Sequence, residues 1–170
     1  MASQGPLAPT AAASLDWSNP TNVFADDAAN ASVSYSAGGA SDWLAATAYG
    51  FTGVTAMIVG IEVELNGVVN IGDLATMLLT KDGTNPVGGA EIPLDGAGWL
   101  SYGGPTSLWA TTWTKEEISA STFGVLVKAS DSATGATATV DAVRITVYYT
   151  TIAVTPTYRD FPKHKLRSVT

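Results

Sequence analysis

The feature that most constrains this chain is a strict period of two. Across residues 137–149, Val143, Ile145, Val147 and Tyr149 alternate with Arg144, Thr146 and Tyr148. Side chains two apart share a face only in an extended strand, so this stretch predicts a strand with one apolar and one mixed face. Residues 58–65 repeat the pattern, with Val59, Ile61, Val63 and Leu65 opposite Glu62 and Glu64. Asn66-Gly67 follows at once and predicts a tight turn. Residues 74–81, ended by Asp82-Gly83, predict a third strand. Residues 123–129, with Val125 and Val127 opposite Leu126 and Lys128, predict a fourth. Shorter strands are expected over 32–36, 43–47, 98–102 and 107–113.

Strands of this number, about eight, separated by Gly, Asn, Asp and Ser predict an all-β fold: a single β-sandwich, read as a jelly-roll of about eight strands. The strand order is left open, and with it the choice between a jelly roll and an immunoglobulin-like sandwich. One helical turn is expected, because Thr114-Lys115-Glu116-Glu117 has the spacing of a capping box. A chain of 170 residues suits one domain. Both ends read as extended arms on the sandwich of residues 17–151. The first, residues 1–16, carries the breakers Gly5-Pro6 and Ala8-Pro9; the second, residues 152–170, carries Pro156 and Pro162.

Charge narrows the function. Charged residues are 14% of the chain, against roughly 25% in an average soluble domain. The surface is therefore either a neutral Ser/Thr/Ala/Gly/Asn surface or one covered by neighbouring subunits, since interface cores are depleted in charge. A net charge of −7 opposes binding to phosphate backbones or anionic membranes, so neither nucleic acid nor membrane is an expected partner. Arg159, Lys163, Lys165 and Arg167 lie in the last dozen residues with His164, making a basic tail on an acidic body.

Catalytic chemistry finds little support. The chain has no cysteine, and its single histidine sits in the tail, so neither a nucleophilic triad nor a zinc site is expected. The carboxylate groupings Asp26-Asp27, Glu62/Glu64, Glu116-Glu117 and Asp131/Asp141 read as strand-face wetting, helix capping and loop chemistry, with calcium in the loops as the sharper alternative. No cofactor is expected. Trp17, Trp43, Trp99, Trp109 and Trp113 read first as core or interface packing, and second as rings for stacking on sugar. Residues 1–13 lack the basic start and apolar run of a signal peptide.

The order Trp17-Ser18-Asn19-Pro20, Tyr49-Gly50-Phe51, Ile58-Val59-Gly60-Ile61-Glu62-Val63, Leu108-Trp109, Thr122-Phe123-Gly124-Val125 and Val140-Asp141 to Tyr148-Tyr149 resembles small β-sandwich virion proteins of tailed bacteriophages. The resemblance covers residues 17–150 and points to head decoration (cement) proteins, with tail-fibre or appendage proteins that bind a receptor or glycan as the alternative. It implies a non-enzymatic protein, made in the host cytoplasm and carried on the capsid surface. Its implied partners are the major capsid protein or other virion subunits and further copies of itself, as a trimer. The residues expected to make those contacts are Leu7 and Leu15 in the first arm. In the second they are Tyr158, Arg159, Phe161, Lys163, Lys165 and Arg167.

Overall fold

The computed structural model describes residues 1–69, 74–93, 97–130 and 136–151; the expected C-terminal arm lies outside the described residues. In chain order the strands are β1 (Ala2–Leu7), β2 (Ala11–Ala13), β3 (Ala31–Tyr35), β4 (Leu44–Thr47) and β5 (Ile58–Val69). They continue as β6 (Leu74–Thr80), β7 (Pro86–Pro93), β8 (Ala97–Gly104), β9 (Gly124–Ser130) and β10 (Ala136–Tyr149), with α1 (Lys115–Ser119) between β8 and β9. They form two antiparallel sheets. The first runs β1–β10–β5–β8, with β3 pairing β10 alongside β1; the second runs β2–β4–β9–β6–β7. The all-β sandwich expected from the period-two stretches is the observed fold.

The alternation places the core. In the first sheet Ile61, Val63 and Leu65 of β5 sit beside Val147, Ile145 and Val143 of β10. In the second, Met77 and Leu79 of β6 pair with Val127 and Val125 of β9, which pair in turn with Leu44 and Ala46 of β4. All these side chains are buried and belong to one core between the sheets. Each of them except the small Ala46 contributes about 1.5–3 kcal/mol of hydrophobic stabilisation. One end is closed by an aromatic group. Phe123 meets Phe51 edge-on at 6.0 Å between centroids and Trp113 at 5.3 Å, and Tyr49 stacks on Phe51 at 6.2 Å.

Tyr49 is buried in this group, and its hydroxyl has no hydrogen-bond partner among the described residues. Burial pushes its pKa far up. A buried hydroxyl left unpaired costs about 1–3 kcal/mol. Tyr49→Phe is therefore expected to leave stability unchanged or raise it by about 1 kcal/mol in urea unfolding. A clear loss would mean that the hydroxyl has a partner after all.

Four expectations are corrected. The first 16 residues are not an arm: β1 pairs the edge of β10 and β2 pairs β4, so the N-terminus supplies a strand to each sheet. Gly5-Pro6 is accommodated because β1 is an edge strand and its register shifts between Gln4 and Leu7. Leu7 lies half-buried at the end of β1, packed against the core. Asn66-Gly67 is not a turn, since β5 runs on to Val69. Gly67 pairs Val140 while Asn66 pairs Ala142, so Asp141 is an extra, bulged residue. A Cβ at Gly67 would lie 2.6 Å from the Thr139 carbonyl oxygen, which is why glycine is needed there.

Residues 107–113 are not a strand. Trp109 and Ala110 both take left-handed backbone, with φ of 58° and 54°, and the loop folds inward to bury Trp109 and Trp113. Finally, β7 was not expected at all; it is an edge strand with proline at both ends. Two local readings hold. Thr114 and Glu117 form the reciprocal capping box at the start of α1, and Gly83 makes the turn after β6 with φ of 81°.

Candidate functional site

The outer face of the first sheet carries the most organised group of polar side chains among the described residues. The period of two that sends Val143, Ile145 and Val147 inward sends Arg144 and Tyr148 outward on β10. It sends Glu62 and Glu64 outward on β5, and the register sets Arg144 directly opposite Glu64 and Glu64 opposite Ser101 of β8. Arg144 holds Glu64 with two bonds, Nε to Oε2 at 2.8 Å and Nη2 to Oε1 at 2.7 Å. Its guanidinium carbon also lies 3.9 Å from the ring centroid of Trp99, a stacked cation–π contact. The Trp99 indole N–H donates to Asp26 Oδ2 at 3.2 Å, and the Asn66 side-chain amide donates to Asp26 Oδ1 at 3.0 Å. Beside this group Glu62 accepts from Ser101 Oγ and, at 2.6 Å, from the Tyr148 hydroxyl.

These bonds fix the charge states. The bond from Ser101, with that from Tyr148, holds the Glu62 carboxyl below its ordinary 4.5. Donating that bond to the Glu62 carboxylate pushes the Tyr148 hydroxyl up to about 12. The Glu64 contact raises the pKa of Arg144 further and keeps it charged. For Glu62 the folded pKa is the lower one, so its stabilisation is complete above 4.5 and is lost as pH falls through the folded value. For Tyr148 the folded pKa is the higher one, so its stabilisation is complete below 10.0 and is lost as pH rises through about 12. Tyr148→Phe is expected to flatten both limbs of a melting-temperature profile against pH. Limbs as steep as in the wild type would contradict the assignment.

A cleft of about 210 Å³ opens next to this network. Pro6, Ala8, Phe24 and the Trp99 indole line it with Asp26 and Arg144. The loop of residues 24–28 is tied down behind it. Phe24 bridges Ala142 across the sheet, and the buried Asp141 carboxylate accepts the amides of Asp27 and Ala28 at 3.4 and 3.3 Å. Of the carboxylates expected in loops, Asp26 and Asp27 lie in this loop, which Asp141 of β10 anchors, while Asp131 lies outside the described residues. Among the described residues no group of three or more metal-type ligands comes together.

The other expected contact residues divide. Leu15 is 90% exposed and flanks a separate groove of about 320 Å³ with Trp43, Ala45 and Leu126 on the second sheet. Tyr158, Arg159, Phe161, Lys163, Lys165 and Arg167 all lie outside the described residues. Of the tryptophans, Trp17, Trp109 and Trp113 are buried, with the indole N–H of Trp109 bonded to the Ile61 carbonyl at 3.0 Å. Trp99 is the exposed one, and Trp43 lies half-buried beside Lys128. The partnership of Trp99, Arg144 and Asp26 was not anticipated, because it joins three segments distant in sequence. Only the Arg144–Glu64 pair left a trace, as opposite charges on the polar faces of two strong strands. No family model, curated protein or solved structure matches the chain.

Proposed function

We propose that this chain is a non-enzymatic structural protein of a tailed-phage virion, a decoration protein that binds the outer capsid shell as a homo-oligomer. The observation that carries the reading is the outer face of the first sheet. Trp, Tyr and Arg are the residue types that dominate binding energy at protein interfaces. Here Trp99, Tyr148 and Arg144 are held rigid by bonds to Asp26, Glu62 and Glu64, so little conformational entropy remains to be lost when a partner docks. The low content of charged residues supports the same reading. So does the resemblance over residues 17–150.

The basic tail adds a second contact, onto the shell or onto an adjacent copy. Each charge pair is weak on its own, and symmetry multiplies it. The alternative, an appendage protein stacking sugars, needs tryptophans exposed together. Trp43 and Trp99 lie on different sheets and Trp109 and Trp113 are buried, which favours the decoration reading. Deleting residues 159–170 is expected to weaken attachment to capsids by at least tenfold, as loss of one arm of a multivalent contact should. Undiminished attachment would sink the role given to the tail.

A further inference from the structure

We propose that the cleft beside Trp99 receives the C-terminal segment, residues 152–170, of a second copy of this chain, with Tyr158 entering the cleft and Arg159 meeting its acidic edge. The inference goes beyond head binding and concerns how copies hold one another.

Three observations carry it. The first is chemistry. The cleft joins apolar walls, Pro6, Ala8 and Phe24, to an indole and to the carboxylate of Asp26. An aromatic side chain followed at once by a guanidinium suits that combination, and Tyr158-Arg159 is such a pair.

The second is charge. Glu64, Asp26 and Glu62 act on Arg144, three carboxylates against one guanidinium. The segment 152–170 carries Arg159, Lys163, Lys165 and Arg167 against Asp160 alone. The chain from 1 to 151 holds the other four basic and fourteen acidic residues, so segment and body have opposite sign. Opposed potentials of this kind steer and register an encounter.

The third is the path of the chain. β10 passes the cleft at Val143 and Arg144, then runs on to Tyr149, about 17 Å further at the rise of a strand. It leaves heading away from its own cleft. From Tyr149 to Tyr158 the chain can span up to about 30 Å, enough to reach a neighbour without reversing. Donor segment and acceptor cleft are different surfaces, so the contact closes by reciprocal exchange in a dimer or head-to-tail in a larger ring such as a trimer.

The test uses the full chain without any capsid, so its failure would leave the head-binding reading standing. Because the chain has no cysteine, a pair can be introduced cleanly: Ala25→Cys in the exposed cleft wall and Thr157→Cys in the segment, which leaves Tyr158 and Arg159 intact. Oxidised glutathione would supply the oxidant. Interchain disulfides, seen as covalent dimers and trimers, are expected to form about tenfold faster than in a control. The control pairs Thr157→Cys with Ser119→Cys, exposed on α1. The excess should vanish at high salt and with Arg159→Glu, as a charge-steered contact requires. A rate equal to the control would overturn the proposal. A disulfide formed only within single chains would overturn it as well.

Discussion

Phe123→Ala is expected to destabilise the protein by about 3–5 kcal/mol, the range for deleting a buried aromatic ring. Phe123 is fully buried and sits where β9 begins, in ring contact with Tyr49, Phe51 and Trp113. Those three come from the loop after β4 and from the segment leading into α1, so one ring ties two connections to the sheet. Its loss would leave a cavity that the surrounding structure closes only in part. Gly124 next to it has no room for a side chain, since a Cβ there would overlap the Ala46 carbonyl oxygen of β4. The effect should be read as a lower urea midpoint at unchanged slope. A loss below about 1 kcal/mol would mean that the aromatic group is not part of the core.

Gly103→Ala is expected to cost about 2–5 kcal/mol, from roughly 1–2 for left-handed backbone and 1–3 for overpacking. Gly103 has φ of 83° in β8. A Cβ there would overlap the Ile61 carbonyl oxygen and lie 2.8 Å from the Trp109 indole nitrogen. The substitution thus strikes the bond by which Trp109 holds the inward-folded loop to β5. Loss of stability should come with a red-shifted tryptophan emission as that loop loosens. A variant as stable as the wild type would show that the loop is not held by this contact.

These two sites mark what could and could not be read from the chain. Alternation marked β5 and β10, and apolar runs marked β6 and β9, because a central strand with a buried face leaves one of these two patterns whatever its neighbours are. The capping box at Thr114 was legible for the same reason: its partners are three residues apart. What failed depends on partners far along the chain. The proline-bearing segments around Pro6, Pro86 and Pro93 are strands only because a sheet edge tolerates a missing donor. Asn66-Gly67 carries a turn signal, yet it is used to admit the bulge at Asp141 in β10.

Residues 107–113 have the composition of a strand, but burying Trp109 and Trp113 outweighs that local preference. The outer-face site was half legible. Glu62, Glu64 and Arg144 could be placed on polar faces, whereas register and the approach of Asp26 to Trp99 are tertiary facts.

The most direct test of the proposed function is co-sedimentation of the purified protein with source phage heads stripped of it, with tails as the control. Saturable binding to heads, at a fixed number of copies per capsomer and none to tails, is the predicted result. Absence of binding to heads would contradict the decoration role and turn attention to appendages and their glycan or receptor ligands.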